Sequence, residues 1–121
     1  MDRRRIGAEA ECLAQEFLVA RGLHPLLTNY RCRAGELDLV LREGAALVVV
    51  EVRRRGSMRF GGAGASIDAR KRRRIGRATR HLLLTHPHLR SLPIRFDVIA
   101  IDAGTALPGI QWIRGAFSAE D

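Results

Sequence analysis

Two short segments, Glu36-Leu37-Asp38 and Glu51-Val52-Arg53, set charged side chains two residues apart, the spacing that puts them on one face of a strand. An antiparallel pair joined by a four-residue loop at Glu43-Gly44-Ala45-Ala46 would set Asp38 opposite Glu51. The same register sets Glu36 opposite Arg53, Val40 opposite Val49 and Leu41 opposite Val48. Glu36, Asp38, Val40, Val49, Glu51 and Arg53 then share one face, and Leu37, Leu39, Leu41, Val48, Val50 and Val52 make the other uniformly apolar. A slip of one residue would turn three carboxylates toward the core, so this register is the expected one. It predicts a carboxylate cluster on the exposed or half-exposed side of a hairpin.

Carboxylates paired in this way lie about 5 Å apart at Cβ. If both are ionised they repel by roughly 3 kcal/mol at an effective dielectric of 20. A shared proton, Arg53 or a divalent cation must offset that. Hard oxygen ligands suit Mg²⁺ or Mn²⁺, which keep several waters and accept phosphate oxygens. Such a centre can activate water and stabilise charge on a phosphodiester. The plainer alternative is a cross-strand Glu36–Arg53 pair beside two solvated carboxylates. The hairpin alone leaves both open.

The elements around the hairpin supply further candidates. Ile6, Ala10, Leu13, Ala14, Phe17 and Leu18 recur at helical spacing and predict a helix from about Arg5 to Arg21, stopped by Gly22. Glu11 lies on the edge of its apolar stripe, where a carboxylate is either an ordinary boundary residue or a third ligand leaning over the sheet. A strand is expected at Leu26–Cys32, the hairpin at 36–42 and 47–54, and a glycine-rich mobile loop at 55–64. Ser66 or Asp68 would cap a second helix running to about Leu84 before Pro87. Strands are expected at Ile94–Ile101 and Ile110–Phe117. A hairpin followed by a helical crossover gives an α/β fold with a mixed central sheet flanked by helices.

In the second helix the inward stripe reads Ile67, Lys71, Ile75, Ala78 and Leu82. A lysine in an apolar line either snorkels to water or meets an anion, and the carboxylate cluster or a phosphate is the anion available. Arg70, Arg73, Arg77 and Arg80 occupy the opposite, solvent-facing side, and Arg54, Arg55 and Arg59 adjoin the glycine-rich loop. Arg95 and Asp97, two apart on one strand, read as a structural ion pair. Gly61-Gly62-Ala63-Gly64 lacks the Lys-Ser/Thr of a P-loop. His81, His86 and His88 flank a helix end and are expected at the surface. No spacing proposes a Ser–His–Asp or Cys–His arrangement.

The 121 residues suffice for one domain with its own core, so 1–121 is expected to be a single unit. The formal net charge is +8, and Lys71 is the only lysine among 21 basic residues. A small domain this basic favours a polyanionic partner, nucleic acid before membrane, although a GC-rich genome also writes arginine wherever positive charge suffices. Aromatic residues are only 5% of the chain, so phosphate contacts and shape should outweigh base stacking. No apolar run approaches the roughly 20 residues of a membrane span. Cys12 and Cys32, without zinc spacing, are expected as reduced thiols in a cytoplasmic protein.

Gly7…Glu11…Ala14, Asn29-Tyr30-Arg31, Gly35-Glu36-Leu37-Asp38-Leu39, Val50-Glu51-Val52-Arg53, Lys71 and Arg95-Phe96-Asp97-Val98 together resemble the YraN-like family of small bacterial proteins. That family is similar to the PD-(D/E)XK nucleases, close in pattern to Holliday-junction resolvases. The resemblance implies an αβββαβ restriction-endonuclease-like core with Asp38 and Glu51 as acidic metal ligands and Glu11 completing the site. It implies Mg²⁺ or Mn²⁺ as cofactor, nucleic acid (DNA before RNA) as partner, and a homodimer as resolvases form. Arg53 stands where the superfamily expects lysine. Arginine stays protonated and cannot serve as a base, so Lys71 is the residue to take over that role. A nuclease of structured DNA or RNA, a non-catalytic nucleic-acid-binding module and a protein adaptor are the functions in contention.

Overall fold

The computed structural model describes residues 3–55, 67–102 and 109–119, the side chains of 3–6 and 55 excepted. Its elements are α1 (Arg3–Val19), β1 (His24–Cys32), β2 (Gly35–Glu43), β3 (Ala46–Arg55), α2 (Ala69–Thr85), a 3-10 turn (Pro87–Leu89), β4 (Ile94–Asp102) and β5 (Ile110–Phe117). This is the αβββαβ order, with a fifth strand appended. The strands form one sheet in sequence order, parallel between β3 and β4 and antiparallel elsewhere. A parallel neighbour needs a crossover, and α2 supplies it.

Each helix ends for a local reason. Gly22 adopts φ +96 after α1, and Leu23 N–H reaches back to Leu18 O at 3.1 Å while Gly22 N–H bonds Val19 O at 3.0 Å. That is a Schellman cap, and Leu18 and Leu23 complete it as buried apolar neighbours. Asp68 caps α2 by accepting from Lys71 N–H at 2.8 Å. Ser66 and the 56–64 part of the expected glycine-rich loop lie outside the described residues.

The helices cover opposite faces of the sheet. Ala10, Ala14 and Leu18 of α1 pack on Leu39, Leu41, Val48, Val50, Ile99 and Ile101. Ile75, Ala78 and Leu82 of α2 pack on Leu37, Val40, Leu47 and Val49. Both faces of the hairpin are therefore buried, where the alternation pattern predicted one exposed or half-exposed face. The reason is α2, which returns over the side that carries Val40 and Val49.

The register Val40↔Val49 and Leu41↔Val48 is as expected, but the turn is shorter. Glu43 pairs with Ala46, leaving two residues with Gly44 at φ +57 in the loop. The ladder of β2 with β3 runs only to Leu39↔Val50. Beyond it Val52 N–H donates to the Asp38 carboxylate at 2.9 Å, so a side chain replaces the backbone carbonyl and the strands part. Leu37 then lies with the α2 cluster although Leu39 lies with that of α1. Strict alternation fails here because Asn29, level with Asp38 on β1, takes the left-handed φ +51. Asparagine tolerates that conformation.

Candidate metal centre and nucleic-acid interface

Where β2 parts from β3, a pocket of about 380 Å³ opens, lined by Arg31, Glu36, Asp38, Glu51, Lys71 and Arg74 among others. Its floor is acidic. Glu51 is only 6% exposed, and its Oε1 lies 3.0 Å from Lys71 Nζ. The ammonium descends from the apolar stripe of α2 and itself keeps partial contact with solvent. Gly35 opens β2 at φ +154, a conformation that L side chains rarely adopt, beside Arg74 of α2.

Asp38 carries the strain of the site. Burial, first, and the neighbouring Glu51 charge push its pKa up to about 7, against the pull of the Val52 N–H and Lys71. A side-chain hydrogen bond with Glu51 also favours the protonated form; ionised together, the two carboxylates carry more negative charge than Lys71 alone offsets. Glu11 is raised for related reasons, burial first and then Asp38, while an Asn29 side-chain hydrogen bond works the other way. Ligand oxygens of Glu11, Glu36 and Asp38 all lie within 4.8 Å of one another. Asp38 thus joins two groups, the Glu11–Glu36 side and the Glu51–Lys71 side.

Residues 10–101 match the model of the family described as uncharacterised protein family UPF0102. The chain is 46% identical over 115 residues to a UPF0102 protein of Saccharophagus degradans, covering 95% of this chain and 94% of that one. It is 47% identical over 116 residues to a relative in Methylobacillus flagellatus, with 96% and 99% covered, and 49% over 119 residues to one in Xanthomonas euvesicatoria, with 98% and 96% covered. The chain belongs to the UPF0102 family. This is the YraN-like family its motifs resemble, and the UPF0102 match encloses Glu11, Asp38, Glu51, Arg53 and Lys71.

In this UPF0102 fold the expected residues are not all brought together. Glu11, Asp38, Glu51 and Lys71 converge from α1, β2, β3 and α2. Arg53 lies two residues beyond Glu51 on the same strand, half-buried. Glu36 does not face it; Glu36 pairs across β1 with Arg31 at 3.1 Å, since β2 at that point is bonded to β1 and not to β3. Glu36 joins the pocket, as its place on the carboxylate face implied, but Arg31 and Arg74 are pocket residues that strand pairing from sequence did not assign to the site. A signal existed for Arg31, which a β1–β2 hairpin through Arg33-Ala34 places opposite Glu36.

Arg54, Arg70, Arg73, Arg77 and Arg80 are exposed; Arg59 and the Arg55 side chain lie outside the described residues. Among the described residues, no helix is long and apolar enough to cross a membrane. His81 and His86 have structural partners: the Tyr30 hydroxyl bonds His81 Nδ1, and His86 Nδ1 lies 2.9 Å from Thr85 Oγ1.

Proposed function

We propose that this protein is a nucleic-acid-binding member of the PD-(D/E)XK nuclease group that hydrolyses phosphodiesters in structured DNA. The observation that carries the reading is Asp38, mostly buried beside Glu51 with its pKa raised to about 7, next to a lysine held at the same pocket. A divalent cation relieves that excess charge, and an all-carboxylate donor set suits Mg²⁺ or Mn²⁺ over a softer metal. Asp38, Glu11 and Glu36, whose oxygens lie within 4.8 Å of one another, would hold it, and Glu51 would join them on release from Lys71. Bound there, the ion would supply water activation and neutralise phosphate charge.

The chain's own residues have separable tasks. In hydrolysis a water oxygen bonds to phosphorus and gives up its proton, while the P–O bond to the leaving oxygen breaks and that oxygen is protonated from solvent. Lys71, an ammonium held at the pocket by Glu51, would orient the water and steady charge on the phosphate, and the water's proton would pass to solvent. Arg53, permanently charged, would stabilise the phosphoryl oxygens as charge grows on them. The net charge of +8 and the exposed arginines of α2 support a phosphate backbone as partner. Arg53 in the lysine position favours a second reading, a module that binds structured nucleic acid without cleaving it.

Cleavage of linear, flapped and four-way DNA, and of RNA, with Mn²⁺ separates the two. Cutting by the wild type and none by Asp38→Asn is the expected result. If neither protein cuts and neither gives heat with Mn²⁺ in calorimetry, the metal reading falls and the binding module remains.

A further inference from the structure

A second and larger depression, about 780 Å³, lies on the far flank of α2. Arg73, Arg77 and Arg80 form its rim, and Leu83, Ile94, Phe96 and Phe117 give it an apolar lining. The two phenyl rings stack with centroids 5.3 Å apart and an interplanar angle of 26°. One wall is tight: a Cβ on Gly76 would come within 2.8 Å of Ala119 Cβ, so the chain after β5 presses directly on the helix. Among the described residues the three arginines enter no ion pair. Lys71 at the Asp38–Glu51 pocket and Arg77 on this rim are carried by the same helix, so one nucleic acid crossing α2 meets both.

An apolar slot rimmed by three guanidinium groups asks for a ligand with a flat apolar part and attached negative charge. A second copy of this chain would bring the same +8 charge to the same rim and be repelled. An acidic peptide would satisfy the rim and leave the aromatic floor unused. Resting on the nucleic-acid reading above, we propose that this groove takes an unpaired nucleotide, its base on the Phe96–Phe117 floor and its flanking phosphates on Arg73, Arg77 and Arg80. A paired base cannot enter, because its faces are covered by its stack. The preferred substrate therefore has an unpaired stretch close to the phosphodiester presented to the Asp38–Glu51 pocket.

Binding measured in EDTA tests this without cleavage. Single-stranded, gapped and blunt duplex DNA labelled with fluorescein are titrated by anisotropy, and a 2-aminopurine base in the gap reports stacking. Wild type and Asp38→Asn should bind gapped and single-stranded DNA at least tenfold more tightly than blunt duplex, with quenching of 2-aminopurine. Arg77→Glu with Arg80→Glu should lose at least tenfold in affinity, while Arg90→Glu, a charge change outside the groove, should lose much less. Phe117→Leu, a milder change whose folding is checked by thermal melting, should keep most affinity and lose the quenching. Equal affinity for blunt duplex, quenching that survives Phe117→Leu, or equal losses from Arg90→Glu would each overturn the proposal. Tight binding to unpaired DNA with no cutting in Mn²⁺ would uphold the groove and remove the catalytic reading alone.

Discussion

Asp38 and Asp97 occupy similar backbone situations and have opposite surroundings. Each sits where a strand ladder is interrupted, Asp38 past Leu39↔Val50 and Asp97 at the register shift between β4 and β5. Each carboxylate takes the N–H of the neighbouring strand, from Val52 and Gly115 respectively, both at 2.9 Å. Asp97 is fully buried and also receives two bonds from Arg95, at 2.8 and 2.9 Å, and one from Trp112 Nε1 at 3.0 Å. Arg95 is bound in turn by Glu43, whose carboxylate also holds Arg114. The Asp97 carboxylate is saturated with donors from β4 and β5, and Glu43 ties β2 to the same network. Asp38 has one backbone donor and a carboxylate for a neighbour. The difference teaches how to tell a structural acid from a poised one: the number of donors matters more than depth.

The same substitution at the two positions should break the comparison apart. Asp97→Asn leaves Arg95 and Trp112 without their acceptor and should destabilise by about 3–5 kcal/mol. The melting temperature should fall by more than about 10 °C. A loss under about 1 kcal/mol would mean that the network is redundant. Asp38→Asn should instead abolish Mn²⁺ binding measured by calorimetry, and cleavage with it, in a protein that still melts cooperatively.

The pH dependence sharpens the contrast. Asp38 has a folded-state pKa of about 7 against an ordinary 3.8, so the folded protein holds this proton more tightly than the unfolded chain. Its contribution to stability is full below pH 3.8 and is lost as pH rises to about 7. In metal-free buffer, Asp38→Asn should therefore melt higher than wild type at pH 8 and converge on it toward pH 5. A gap that widens on acidification would refute the assignment of burial and Glu51 as the causes. Mn²⁺ should raise the wild-type melting temperature at pH 8, where the carboxylate is ionised, and have little effect on the variant.

Smaller effects belong to the outer residues. Glu43→Gln weakens partly exposed contacts to Arg95 and Arg114 and should cost about 1 kcal/mol or less by denaturant unfolding. Asp68→Ala removes the α2 cap and should lower the denaturant midpoint by the least of these changes. Because Lys71 is in the capped turn, the same change should reduce Mn²⁺-dependent cleavage more than it reduces binding of single-stranded DNA in EDTA.

Periodicity alone determined much of this protein. The alternation of Glu36, Asp38, Glu51 and Arg53 with Leu37, Leu39, Val50 and Val52 specified the Val40↔Val49 register, because a slip of one residue would turn carboxylates toward the apolar side. The phase of Ile75, Ala78 and Leu82 put Lys71 over the sheet, because a helix face is set by its apolar neighbours; Ile67, expected on the same stripe, precedes the Asp68 cap and packs on Val98 and Ala100. Only the tertiary structure decided what lay beyond the last ladder pair. The left-handed Asn29 and the wedge of Asp38 against Val52 exchanged the faces of Leu37 and Leu39, and no pattern with period two contains such an exchange. That exchange brings Glu11, from the helix on one face, and Lys71, from the helix on the other, to the same aspartate.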